Sequence, residues 1–294
     1  MPRDEDYKWR QIMSRVKIVT DSTADLPPEV AREMDITVIP LTLHFGKEVL
    51  RDGIDIDSQR FFKRLKTVKT IPTTAAPPPR AFEEAYGQIV RDHDAILSIH
   101  LSSKLSQTVS TAEKGALPFL GRKKITVVDS LSASRGLGYL AIAAAEAARA
   151  GASLDELIKL MRTLIPHVYL VFFVETPEYL HRGGRLGKAQ AMLGSMLNIK
   201  PLLALEDGEI VPLEKVRTRQ RAIEKLCEFT FEFSRVRKMT ILHSENPSDV
   251  KELTERIREH LPIVPIEVAA YGPVLASHVG PDALGIVIFE EILP

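Results

Sequence analysis

The sequence of 294 residues contains a single cysteine, Cys227, and a single tryptophan. One thiol excludes an internal disulfide and any cysteine-built zinc site. Charge of either sign in excess is also lacking: 39 Lys and Arg stand against 39 Asp and Glu, for a formal net charge of +0. A protein that binds nucleic acid electrostatically usually carries a basic excess, so that class is disfavoured. Long apolar runs are missing as well. The longest stretch without Asp, Glu, Lys or Arg is the 14 residues from Val268 to Pro281, and it holds Pro273, Ser277 and His278. A membrane span needs roughly 20 apolar residues. Met1–Arg15 is charged from residue 3 on and has no apolar segment of the kind a secretory signal carries, so it is expected to be a short N-terminal extension. A reducing cytoplasm is the expected compartment.

What is present is an ordinary globular composition, 45% hydrophobic and 27% charged. At roughly 100–200 residues per domain the length suggests two domains. The first strand is expected at Val16–Thr20, followed by Ile36–Pro40, Leu41–Phe45, Ala95–Leu101 and Ile125–Val128. Helices are expected at about Ser58–Leu65, Arg80–Arg91, Ser103–Gly115, Leu137–Ala150 and Leu154–Ile165. Strands alternating with helices predict a mostly parallel sheet covered by helices on both faces. Thr70–Pro79, with Pro77, Pro78 and Pro79, reads as a loop.

After Pro166 the pattern changes. Val168–Val174 reads as a buried strand, and Ile199–Val211 as two strands joined by the hairpin signal Asp207-Gly208. Helices at Thr218–Ser234 and Pro247–His260, and strands at Met239–His243, Val264–Ala269 and Leu284–Phe289, predict a second α/β unit with a mixed sheet. The expected organisation is therefore two α/β domains, 16–165 and 166–294, preceded by the 1–15 extension.

Six segments have the composition of binding sites, and each has a plain structural alternative. Asp21-Ser22-Thr23-Ala24-Asp25 follows the first strand, where ligands sit in open parallel sheets, but the same residues cap helices. Pro72-Thr73-Thr74-Ala75-Ala76-Pro77 places two hydroxyls in a proline-stiffened loop, which is either an anion clamp or a surface turn. Ser98–Thr111 has Ser or Thr at seven of 14 positions, where a strand gives way to a helix. A helix start favours an anion, and Ser102 and Ser103 fall there; the alternative is a serine cap with solvated hydroxyls. The segment is neither a Walker loop nor a Gly-x-Ser-x-Gly elbow. Leu180–Lys188 combines three cations with three glycines, which either present guanidinium groups to phosphate or carboxylate or form a helix stop at Gly183-Gly184 with a solvated basic end, and Glu214–Arg219 puts cations at a helix start, against the macrodipole. His278 lies between small residues and Gly-Pro turns, either in a site or as an ordinary loop histidine.

Taken together, IVTDSTADLP, IPLTLHFG, PTTAAP, HLSSKLSQT, VVDSLSASRGLG, EYLHRGGRLGKAQAMLGSMLNIKPLLALEDGEIVPLEKVRTR and SHVGPDALGI, in this order, resemble the DegV family of bacterial fatty-acid-binding proteins. The match spans about residues 16–289. It implies no catalysis by the chain itself and no cofactor or metal. One long-chain fatty acid, such as palmitate, stearate or oleate, is held between two α/β domains. Its carboxylate is expected on Thr73 or Thr74, on Ser103, Ser102 or Ser106, and beside His278. In some members the protein is the acyl-carrying subunit of a fatty acid kinase, whose separate ATP-binding subunit makes the acyl phosphate. Arg185 and Arg217 are then the residues facing phosphate or partner. A lipid-responsive regulatory module and a Ser/His acyl hydrolase, using Ser103 or Ser106 with His278, are the competing readings.

The chain departs from the family pattern twice. Thr74-Ala75-Ala76-Pro77 stands where the family usually has Thr-Ser-Gln-Pro, and Ser106-Gln107-Thr108 where it has Ser-Gly-Thr. The first change removes two polar groups, and the second adds a side chain near the expected head-group site. Val168–Val174 and Ala189–Leu197, with Met192 and Met196, are the expected apolar lining.

Overall fold

The computed structural model describes residues 15–68, 70–189, 199–244 and 246–292. In chain order the first half runs β1 (Val16–Asp21), α1 (Pro28–Glu33), β2 (Ile36–Ile39), β3 (Thr42–Phe45), β4 (Glu48–Arg51), α2 (Ser58–Leu65), β5 (Thr73–Ala75), α3 (Pro79–Ile89), β6 (Ala95–His100), α4 (Thr108–Ala116), β7 (Lys124–Asp129), α5 (Ser134–Arg149) and α6 (Leu154–Leu164). Four strands form a parallel sheet in the order β2-β1-β6-β7. Alternate residues of its central strands serve opposite faces: Val19 and Ile96 pack with Phe82, Tyr86 and Ala112, and Ile18 and Leu97 with Leu137 and Leu140. The sheet is therefore apolar on both sides, as parallel sheets must be when helices cover both faces. A separate antiparallel sheet, β4-β3-β5, stands beside it.

The second half runs β8 (Val168–Phe173), α7 (Glu178–Arg182), β9 (Lys200–Glu206), β10 (Glu209–Val216), α8 (Arg219–Thr230), β11 (Val236–His243), α9 (Pro247–His260), β12 (Ile266–Ala270), α10 (Pro273–Val279) and β13 (Leu284–Glu290). Its six-stranded sheet has the order β10-β9-β8-β13-β11-β12, with only β11 and β12 parallel. On one face Val171, Phe173, Ile241 and Ile286 pack against Ile223, Leu226, Leu253 and Ile257 of α8 and α9. On the other, Leu170, Phe172, Leu203 and Leu242 join the core that also contains Ile18, Leu97 and Leu137. One apolar cluster thus spans both sheets.

The expected α/β architecture is observed; β4 is an additional strand, and three further local differences stand out. Thr73–Ala75 is a short edge strand, pairing Thr74 with Leu43, rather than a loop; Pro72 and Pro77 flank it without interrupting a ladder. The helix expected from Ser103 begins only at Thr108. The Ser102 carbonyl accepts the Leu105 and Ser106 N–H groups at 3.0 Å each, and the Ser102 hydroxyl oxygen accepts that of Lys104 at 3.2 Å. Serine competing locally for backbone groups delays the helix. Around His278 the chain forms α10 where turns were expected: Gly272 caps it, Pro273 opens it and Gly280 ends it.

Candidate functional site

A cavity of about 410 Å³ lies where the shared core opens between the two sheets. Its walls are mostly aliphatic and aromatic. Leu41, Leu101, Leu105 and Ala133 come from the first half, and Leu170, Phe172, Leu205, Ile210, Leu242 and Val274 from the second. The size falls in the range of roughly 300–1,000 Å³ typical of small-molecule sites. Because β8 and β9 present alternate residues to this side, Phe172 and Leu205 line the cavity while Phe173 and Leu202 pack under α8.

A small set of polar side chains gathers on the same wall. Thr74 Oγ1 and His278 Nε2 are 2.7 Å apart, joining β5 to α10 across the two halves. Burial, and secondarily the Arg185 guanidinium, pull the His278 pKa down to about 4. The ring is therefore neutral at pH 7 and acts as a hydrogen-bonding group, not a cation. Its Nδ1 is buried without a partner among the described residues. Arg185 Nε donates to the Leu105 carbonyl at 3.0 Å, and its Nη1 donates to that of Gly183 at 2.5 Å. Two carbonyls thus fix the guanidinium at the cavity edge. Ser106 and Thr108 hydroxyls are 2.8 Å apart, and Ser106 Oγ accepts the Thr108 N–H at 3.3 Å. A neutral imidazole, hydroxyls and one fixed cation can hold a carboxylate; the rest of the cavity accepts hydrocarbon.

Residues without any side chain in the cavity hold this wall in place. The Asp21 carboxylate accepts the Leu101 N–H at 3.0 Å and contacts His100 Nδ1 at 3.0 Å, and His100 Nε2 meets Ser98 Oγ at 2.7 Å. Ser22 Oγ accepts the Leu41 N–H at 3.1 Å. Asp25 accepts the Ser134 hydroxyl at 2.6 Å and the Gly272 N–H, at the cap of α10, at 3.1 Å. The segment 21–25 therefore caps a short turn and anchors three separate stretches of the cavity lining. That role was hidden in the sequence because its partners lie up to 247 positions away. Gly183 is another residue that sequence reasoning treated differently, as part of a cationic loop or a helix stop. A Cβ there would collide with the His278 ring.

Of the sequence candidates, Thr74, Ser106, His278 and Arg185 line the cavity. Thr73 is exposed, because neighbouring residues of a strand face opposite ways. Ser102 is buried, and its hydroxyl donates to the Gly208 carbonyl at 2.6 Å at the tip of the β9–β10 hairpin. Ser103 is exposed, with its N–H donating to the Asp129 carboxylate at 3.2 Å. Arg217 is exposed and lies outside the lining. Met192 and Met196 lie outside the described residues. Neither Ser103 nor Ser106 shares a hydrogen bond with His278, whose Nε2 faces Thr74. Among the described residues no cluster of three or more His, Cys, Asp or Glu could hold a metal, and no helix is long and apolar enough to cross a membrane.

The model of the DegV family matches residues 15–291. A DegV domain-containing protein of Streptomyces coelicolor is 38% identical over 285 residues, covering 94% of this chain and 99% of its own. Protein DegV of Bacillus subtilis is 34% identical over 275 residues, covering 92% and 98%. Among solved structures, DegV of Bacillus subtilis, described as a fatty acid binding protein, superposes with a TM-score of 0.86 at 32% identity and covers 95% of this chain and 100% of its own. A DegV family protein from Thermus thermophilus, described by its fatty acid binding, gives 0.87 at 34%, covering 94% and 100%.

Proposed function

The chain belongs to the DegV family, and from that premise and the chemistry of the cavity we propose that it binds one long-chain fatty acid and presents the carboxylate to a partner protein. The observation that carries this reading is an apolar cavity between two sheets with a hydroxyl–imidazole–guanidinium cluster on one wall. The described fatty acid binding of the Bacillus subtilis and Thermus thermophilus relatives supports it. Each methylene removed from water contributes about 0.8 kcal/mol, so an acyl chain of palmitate or oleate length supplies the affinity even after the entropic costs of association. Thr74, Ser106, His278 and Arg185 then orient the head more than they hold the ligand. The two α/β halves, 16–165 and 166–294, act as the domains that enclose it.

The partner that fits the family resemblance is the ATP-binding subunit of a fatty acid kinase. The role assigned to this chain is to carry the acid, and Arg217, exposed beyond β10, faces the partner. Native mass spectrometry followed by lipid extraction tests the binding. A stoichiometric added mass matching a fatty acid is expected. A protein that arrives empty and takes up neither palmitate nor oleate would overturn the reading and leave only the fold shared with the family.

A further inference from the structure

The polar side chains lining the cavity differ in what they have left to offer a ligand. Thr74 is engaged by His278, Ser106 by Thr108, Arg185 by two backbone carbonyls and Tyr271 by the Gly280 carbonyl. Thr111 Oγ1 donates to the Thr108 carbonyl. His278 Nδ1 also lacks a partner, but it is buried; Gln107 is the exposed polar residue of the lining, and its carboxamide has no hydrogen bond among the described residues. Nor does its side chain serve the fold locally. It occupies the cap position of α4 with φ −82° and ψ 7°, and its side chain makes no capping bond, since Ser106 Oγ accepts the Thr108 N–H instead. On another stretch of the lining Ala75 and Ala76 carry no polar side-chain group. The side-chain donors near Ser106 are therefore Gln107 on the α4 side and the Arg185 guanidinium, which two carbonyls already hold.

We propose that Gln107 is the head-group selectivity residue of this chain: its carboxamide N–H donates to the ligand carboxylate beside Ser106, at the mouth of the cavity. This rests on the fatty-acid reading above. A carboxamide suits the position. It is uncharged, so its exposure at the mouth carries no ionic desolvation cost, and it donates through an N–H2 that no protein acceptor occupies. It also leaves one face of the carboxylate toward solvent, where a partner can reach it.

The test compares one acyl chain with and without its charge. Affinities for oleate and methyl oleate are measured by displacement of a fluorescent probe from the delipidated full-length protein. Wild type, Gln107→Ala and Gln107→Glu are compared. Gln107 is exposed, so thermal unfolding of both variants should match wild type. A hydrogen bond to a charged group predicts that Gln107→Ala weakens oleate about tenfold and leaves methyl oleate unchanged. Gln107→Glu, which places like charges together, should weaken oleate further, again without effect on the ester. An acid-to-ester ratio that stays at the wild-type value in both variants overturns the assignment, as does an equal loss for both ligands. Wild-type protein that binds neither ligand instead overturns the fatty-acid reading, and the assignment falls with it.

Discussion

Two adjacent threonines separate what composition indicates from what backbone geometry decides. Thr73 and Thr74 carry the same hydroxyl in the same short segment, yet the alternation of β5 turns Thr74 to His278 and the cavity and Thr73 to solvent. Thr74→Ala should weaken fatty-acid binding by about three- to tenfold, the worth of a hydrogen bond lost at an otherwise intact site. Thr73→Ala should stay within about twofold of wild type, measured by the same titration. Equal losses in the two variants would mean that the head group is held elsewhere. Arg217 makes a complementary case, because it lies outside the lining. Arg217→Ala should spare lipid retention and reduce acyl phosphate formation with a partner kinase subunit; loss of retained lipid would assign it to the pocket instead. The sequence made hydroxyls and an imidazole visible as candidates. It did not distinguish Thr73 from Thr74 or Ser103 from Ser106, because that choice depends on strand phase and on where α4 begins.

The hairpin of β9 and β10 shows how an element carries function through its tip. Leu205 and Ile210 flank the turn and line the cavity, while the turn itself docks on the other half of the molecule. There Gly208, at φ +79°, accepts the Ser102 hydroxyl through its carbonyl and lies against Leu131. Asp207 and Gly208 both have positive φ, as a two-residue turn of this kind requires. Gly208→Ala should lower stability by about 1–3 kcal/mol, since the new methyl meets both a disfavoured φ and the Ser102 hydroxyl. Thermal unfolding checks this, and an unchanged midpoint would show that the tip is loosely seated. The hairpin itself was legible from Asp-Gly between apolar runs. Its docking was not, because Ser102 lies 106 positions away. Helix α10 was missed for a local reason: its seven residues follow Gly272, open on Pro273 and stop at Gly280, and Gly-Pro and glycine also mark turns.

At the scale of the whole molecule, the alternation of strands and helices made the parallel sheet legible, and the mixed order after Pro166 marked the second. What the sequence could not express is that the two sheets share one core, and that the carboxyl group of Asp25 ties the two halves together. Asp25 accepts from Ser134 in its own half and from Gly272 at the cap of α10 in the other. Burial pushes its pKa up to about 7, against the opposing effects of those two donors and of Arg135. Burial likewise raises Asp52 to about 7, with Asp25 and Asp21 adding to the effect. In an unfolded chain both carboxyls ionise near 3.9. Between those values the folded state binds protons that the unfolded chain has released, so stability falls as pH rises toward and through 7. His278 acts oppositely, because its folded pKa near 4 lies below the ordinary 6.5, but its effect sets in only as pH falls below about 6.5. From pH 6.5 to 8 the carboxyls therefore dominate, each contributing at most about 1.4 kcal/mol per pH unit. The unfolding midpoint should decline across that window in wild type, and the decline should shrink in Asp25→Asn, which keeps the acceptor for Gly272 and removes the titration. A wild-type midpoint that is flat or rises from pH 6.5 to 8, or an Asp25→Asn profile parallel to wild type, would show that Asp25 stays ionised and that Arg135 and its two donors outweigh its burial.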